Sequence, residues 1–230
     1  MDKASCLTSR RTILTRTGDG SPTLYVPELK EHYHSSYGAL QESNFVFIQK
    51  GLNRKIEKTN IRLFEVGYGT GLNALLSCIE AGKNKKFICY HSIEKFPVER
   101  PIWLEFGKYF YKNALMSKLF HDINECEWDK EIPITKHFTL KKMKSDIKTY
   151  HNAGLYDVIF FDAFSPEVQP EMWSVDVFLK MAGMMEKGGV LSTYSAKGQV
   201  RRNMISAGLK VERTAGPPGK REMLVATRSG

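Results

Sequence analysis

From residue 61 onward the chain alternates short apolar runs with longer stretches of helical spacing. Residues 61–66 form an apolar run that ends in glycines, and residues 72–81 carry apolar side chains at helical intervals. A second run, 87–93, stops at Glu94-Lys95, and a helical region with Trp103, Phe106, Phe110 and Leu115 follows. Residues 138–143 and 156–161 read as the third and fourth strands, the fourth ending at Asp162. Beyond them the spacing predicts a helix over 175–185, a strand over 189–194, a helix over 197–207, and closing strands over 209–213 and 223–227. Strands separated by helical patterns imply a mostly parallel sheet with helices on both faces. The expected fold is α/β and Rossmann-like, with a seven-stranded sheet. A turn containing Gly216-Pro217-Pro218-Gly219 joins the last two strands, so one of them should run antiparallel.

Residues 1–60 have another texture. Residues 15–22 are turn-rich, 23–26 fit a short strand, and Glu31, His32, Tyr33, His34 and Tyr37 precede an amphipathic stretch over 39–50. They are expected to form an N-terminal extension packed on the edge of one main domain, residues 61–230.

Composition changes this picture in two respects. The 230 residues carry a formal net charge of +9 with a pI near 9.3, which points to a polyanionic partner or to a basic solvated surface. The cysteines Cys6, Cys78, Cys89 and Cys126 include no CxxC pair, and no familiar ligand spacing supports a zinc site from Cys126, His121 and His137. No metal is therefore expected. No apolar run approaches the roughly 20 residues of a membrane span, and the N-terminus lacks a signal-peptide core. The expectation is a reduced, cytoplasmic protein without membrane contact.

Candidate chemistry sits at strand ends, where open α/β sheets bind ligands. Gly67, Gly69 and Gly71 lie between an apolar strand and a helix, a setting in which the backbone turns sharply and approaches a ligand. Glu94, at the tip of the second strand, suits the hydroxyls of a ribose, or pairs with Lys95 as a surface glutamate. Asp146 follows the third strand and reads either as an acceptor for an adenine amino group or as a helix N-cap with Ser145. Asp162 ends the fourth strand in Phe160-Phe161-Asp162-Ala163-Phe164-Ser165-Pro166. Trp173 and Tyr194 supply aromatic walls or core. The glycine loop has no phosphate-binding lysine, which argues against a P-loop.

Several longer segments then stand together. They are Tyr33-His34-Ser35, Gly38-Ala39-Leu40-Gln41-Glu42-Ser43, Phe64-Glu65-Val66-Gly67-Tyr68-Gly69-Thr70-Gly71-Leu72-Asn73 and Ser92-Ile93-Glu94-Lys95. Asp162-Ala163-Phe164-Ser165-Pro166, Pro170-Glu171-Met172-Trp173, Thr193-Tyr194-Ser195-Ala196-Lys197-Gly198-Gln199-Val200-Arg201-Arg202 and Gly219-Lys220-Arg221-Glu222-Met223-Leu224 complete the set. In this order they resemble the methyltransferase region of the MnmC family, tRNA 5-methylaminomethyl-2-thiouridine biosynthesis proteins, over nearly the whole chain.

The resemblance implies a Rossmann-like, S-adenosylmethionine-dependent methyltransferase acting on the primary amine of 5-aminomethyl-2-thiouridine at the tRNA wobble position. It assigns the cofactor to Glu65, Gly67, Tyr68, Gly69, Thr70, Gly71, Asn73, Glu94 and Lys95, with Asp146 added from its strand-end position. Asp162 would face the transferring methyl group and the amine. Tyr68 stands where the family usually has phenylalanine. The chain ends at Gly230 without the family's flavin-dependent oxidase domain, so the stand-alone form is expected.

An anticodon-loop base splayed into the pocket would stack on Tyr33, Phe164, Trp173 or Tyr194. Arg201, Arg202, Lys220 and Arg221, with Arg213 and Arg228, would meet tRNA phosphates. Two alternatives share the fold: an aminopropyltransferase resembling spermidine synthase, and a non-catalytic RNA-binding module. The first calls for an acidic pocket and the second for a degraded cofactor site. Oligomeric state has no signal in the sequence.

Overall fold

A computed structural model describes residues 10–151 and 154–229; Cys6 lies outside them. Three strands near the N-terminus, β1 (Ile13–Arg16), β2 (Pro22–Val26) and β3 (Glu31–His32), pair in an antiparallel sheet of their own. A short helix α1 (Ala39–Ser43) runs directly into a π-helical turn, Asn44–Gln49, and then a 3-10 turn, Leu52–Lys55. This region is joined to the rest by packing: Leu24, Ala39, Val46, Phe47 and Leu52 belong to one buried cluster with Leu63, Leu75 and Phe160.

The large sheet holds β4 (Asn60–Val66), β5 (Phe87–Glu94), β6 (Glu131–Thr135), β7 (Phe138–Lys144), β8 (Tyr156–Phe161), β9 (Met185–Thr193), β10 (Leu209–Ala215) and β11 (Glu222–Arg228). Their spatial order is β10-β11-β9-β8-β4-β5-β7-β6. Strands β7, β5, β4, β8 and β9 run parallel. As expected, the hairpin between the closing strands makes β11 antiparallel to β10 and β9.

All seven expected strands are present, and β6 adds an eighth, antiparallel to β7 at the sheet's edge. Its sequence, Glu-Ile-Pro-Ile-Thr, is short and contains Pro133, which masks the strand pattern and is tolerated only at an edge or bulge. The ladder shifts register between Pro133 and Thr135.

Strand alternation divides the core in two. On β8, Val158 and Phe160 join the cluster with α2 (Leu72–Asn84), α3 (Arg100–Gly107) and α4 (Ala114–Glu125). Ile159 and Phe161 face α5 (Val175–Met184) and α6 (Gly198–Ser206) on the other side. Caps fix the helix starts: Asn113 Oδ1 accepts from Met116 N at 3.1 Å, and Ser174 Oγ from Val177 N at 3.4 Å, each worth about 1 kcal/mol. The chain moves outward from β4 to β5 and β7, then returns to β8 and β9 on β4's opposite flank. That reversal opens a crevice beyond the carboxyl ends of β4, β5 and β8. Among the described residues, no helix is long and apolar enough to cross a membrane.

Candidate active site

The crevice is a cavity of about 410 Å³, within the roughly 300–1,000 Å³ of small-molecule sites. The loop after β4 forms one wall. Gly67 has φ +92°, and a Cβ there would lie 2.4 Å from the Asp162 carbonyl oxygen, so the two strand ends approach only because the residue is glycine. Gly71, at φ +80°, begins α2.

Three carboxylates stand at three strand ends, in different settings. Glu94, after β5, accepts from Gly69 N at 3.2 Å and from Phe96 N at 2.8 Å, and lines the cavity. Burial pushes its carboxyl up, against the pull of those two N–H groups. Asp146 also lines the cavity, but its oxygens are engaged: Oδ1 accepts from Lys148 N at 2.9 Å and Oδ2 from Lys95 Nζ at 3.0 Å. Partial burial is outweighed by these donors, which hold its carboxyl below the usual range. It opens a turn rather than capping a helix: its carbonyl accepts from Thr149 N at 3.1 Å and Tyr150 N at 2.9 Å, and no helix follows.

Asp162 leaves β8 with its N–H bonded to the Val66 carbonyl at 2.9 Å, and its Oδ2 accepts from Asn73 Nδ2 at 2.9 Å. The same Nδ2 donates to Glu65 Oε1 at 3.0 Å, and Ser92 Oγ donates to Glu65 Oε2 at 2.7 Å. Glu65 is fully buried and does not line the cavity, so it supports Asn73 from behind. Burial pushes Glu65 up to about 7, and burial followed by the neighbouring Glu65 charge pushes Asp162 well above the usual carboxylate range. Two polar atoms beside this cluster, Thr70 Oγ1 and Asn73 Oδ1, are buried without a partner among the described residues. Such atoms, next to a glycine cradle, fit a polar ligand.

Tyr33, Gly67, Tyr68, Gly69, Lys95, Phe164, Tyr194 and Lys220 line the cavity as well. Tyr33 and Phe164 meet edge to face, 5.1 Å between ring centres. The Tyr68 ring is buried, with its hydroxyl donating to the Ile123 carbonyl, so its backbone side faces the ligand space. Trp173 corrects the expectation of a stacking surface: it is buried between Phe161 and Phe178, and its Nε1 donates to the Phe164 carbonyl at 2.8 Å. It therefore sets the loop that carries Phe164, and no base can reach its ring.

The basic set divides in the same way. Arg213 pairs with Glu222 at 3.0 Å, Arg228 donates to the Met185 carbonyl, and Lys220 pairs with Glu42 at 2.7 Å. Arg201, Arg202 and Arg221 lie outside the cavity and form no ion pair with the described residues.

Other cavity residues have contacts that their sequence setting does not announce. Arg10 stacks its guanidinium over Phe96 and Phe164, at 4.2 and 5.4 Å from the ring centres. Glu31 accepts from Ser165 N at 3.1 Å and from its hydroxyl at 3.0 Å. Glu42 accepts from Ser35 N at 2.7 Å. His34 is half-buried at the cavity wall, and its loss of solvation pulls its imidazole down to about 4 and keeps it neutral. The N-terminal region thus closes the cavity from above with its own charged groups.

Comparisons with known proteins agree with the fold. A MnmC bifunctional protein of Cupriavidus metallidurans, named for tRNA 5-methylaminomethyl-2-thiouridine biosynthesis, is 31% identical over 91% of this chain. The chain spans about a third of the length of such curated relatives, 33% for this one. The crystal structure of MnmC2 from Aquifex aeolicus, 26% identical, superposes with a TM-score of 0.72 over 95% of this chain and 70% of that one. Spermidine synthase from Thermotoga maritima, 9% identical with a TM-score of 0.54 over 96% of this chain and 69% of that one, shares the fold alone. Residues 108–229 match the family described as S-adenosyl-L-methionine-dependent methyltransferase; the chain belongs to that family, and S-adenosylmethionine is its methyl donor.

Proposed function

We propose that this chain methylates the exocyclic primary amine of 5-aminomethyl-2-thiouridine at the wobble position of tRNA, giving 5-methylaminomethyl-2-thiouridine. The observation that carries the reading is Asp162, held by Asn73 at the cavity wall where the β4 and β8 ends meet. The names of its relatives supply the substrate class.

Gly67, Gly69, Thr70 and Asn73 would cradle the cofactor, and Glu94 would accept from its ribose hydroxyls. The sulfonium supplies an already activated methyl group, so the protein's contribution is to align a neutral amine in line with it. Asp162 accepts the amine's N–H bonds and stabilises the positive charge that develops on nitrogen. Asn73 fixes the carboxylate for this task. Tyr33, Phe164 and Tyr194 offer ring surfaces for a splayed base, and Arg201, Arg202 and Arg221 offer phosphate contacts on the outer surface. Residues 10–60 act as the part of the site that covers the base.

The reading is tested by nucleoside mass spectrometry of tRNA bearing the aminomethyl group, after incubation with the protein and S-adenosylmethionine. A methyl gain on that nucleoside supports it, and none contradicts it.

A polyamine-directed aminopropyl transfer is a second reading with one observation behind it. The cavity lining includes the carboxylates of Glu31, Glu42, Glu94, Asp146, Asp162 and Glu171, against the cations Arg10, Lys95, Lys148 and Lys220. The local site is thus less basic than the whole chain. Glu31 and Glu42 are engaged by Ser165, Ser35 and Lys220, which favours the tRNA reading. Turnover of putrescine with decarboxylated S-adenosylmethionine would reverse that preference.

A further inference from the structure

On the face of the sheet that carries α5 and α6, the β5–β7–β6 end presents polar side chains. Cys89 and His91 are two apart on β5 and so share this face. His91 stands in register with Lys141 of β7, and Lys141 with Glu131 of β6. Glu131 reaches back across the intervening strand. Its Oε2 lies 3.2 Å from His91 Nε2 and 3.9 Å from Cys89 Sγ, and the Cys89 Sγ to His91 Nε2 distance is 3.4 Å.

We propose that Cys89, His91 and Glu131 form a divalent-metal site of zinc type that ties the edge strand β6 to β5. Zinc bound tetrahedrally to sulfur, imidazole nitrogen and carboxylate oxygen holds those atoms about 3.3–3.6 Å apart, given its bond lengths of about 2.0–2.3 Å. The three observed separations bracket that range. Among the described residues this is the one group of histidine, cysteine and acidic side chains whose ligand atoms converge.

The surroundings support ligation. His91 Nδ1 is hydrogen-bonded to the Tyr156 hydroxyl at 2.8 Å, which fixes the ring and presents Nε2 to the other two ligands. An outer partner on the second nitrogen is the usual arrangement for a metal-bound histidine. A thiolate and a carboxylate together balance a divalent charge, the thiol proton passing to solvent on binding. Arg62 and Lys141 also face the group. The Glu131 side chain is 53% exposed, so the fourth position opens to water. None of the three residues lines the methyl-transfer cavity, so the metal's role is to hold the sheet edge.

The test is cobalt(II) titration of the full chain with its cysteines reduced, followed by absorption in the thiolate-to-cobalt charge-transfer region. One equivalent should bind with that band, and zinc should displace it. Cys89→Ser should abolish the band, with unchanged circular dichroism as the folding control. Should Cys89→Ser fail to fold, Glu131→Ala, at the exposed ligand, should still weaken binding at least about tenfold. Tyr156→Phe should weaken it by about tenfold, the lower end of the loss expected for an outer partner. Absence of a band at saturating cobalt overturns the site. So does a band that persists in Cys89→Ser, or an affinity unchanged in Glu131→Ala.

Discussion

Asn73 Nδ2 donates to Asp162 Oδ2 at 2.9 Å while also donating to Glu65 Oε1 at 3.0 Å. A single side-chain amide therefore sets two carboxylates, one at the cavity wall and one buried behind it. Asn73→Ala removes the group that orients Asp162. The loss of a preorganised polar group of this kind costs about 10²-fold in turnover. Steady-state kinetics should show that fall in kcat, with the KM for tRNA changed much less.

Glu65 makes stability depend on pH. Its folded-state pKa is raised to about 7 from an ordinary 4.5, so the folded form binds the proton more tightly than the unfolded form. Its favourable contribution is complete below about pH 4.5 and is lost as pH rises through 7. At 1.36 kcal/mol per pKa unit the loss is on the order of 3 kcal/mol by pH 8. Denaturant unfolding of the cofactor-free protein should show stability declining across this window. Glu65→Gln should remove that component of the decline.

Gly67 is held in place by both its backbone angle and its neighbour. Gly67→Ala would place a methyl group 2.4 Å from the Asp162 carbonyl oxygen at φ +92°. Left-handed strain alone costs about 1–3 kcal/mol, and relief of the overlap requires the two strand ends to part. Thermal unfolding should report a lower midpoint, and calorimetry a weaker S-adenosylmethionine affinity.

The outer arginines should act on tRNA and not on the cofactor. Replacing Arg201, Arg202 and Arg221 together by alanine should weaken tRNA binding and flatten its dependence on salt, since each lost phosphate contact removes about 0.7–0.9 from the logarithmic slope. S-adenosylmethionine affinity should be unchanged. An unaltered salt slope would remove these residues from the RNA surface.

Much of this molecule was legible in its sequence, where the signal was local. The run ending at Val66 and the glycines after it announce a strand, a tight turn and a helix in a dozen residues, and Asp162 closes the apolar run over 158–161. The parts that escaped depend on distance along the chain. Glu42 and Lys220 pair across 178 positions, and Glu31 finds Ser165 across 134. Each of these residues stands in a stretch the sequence singles out, but nothing near it in the chain says which partner it meets. Strand β6 was hidden by Pro133 and by its half-exposed pattern. Trp173 looked like a recognition surface because an aromatic residue beside a loop gives the same pattern whether it faces a ligand or, as here, holds the loop from below. Spacing along the chain addresses only the residues around Cys126, whereas the side chains that converge, Cys89, His91 and Glu131, lie on two strands separated by a third.

The central claim is that Asp162 positions an amine for methylation on tRNA. It is tested most directly by comparing the chain with its Asp162→Ala variant on tRNA bearing the aminomethyl group, with S-adenosylmethionine binding measured in parallel. The account predicts a methyl gain on the wobble nucleoside with the chain as it stands, and loss of nearly all of it in Asp162→Ala at undiminished cofactor affinity. Equal methylation by both proteins, or no methylation by either, would contradict it.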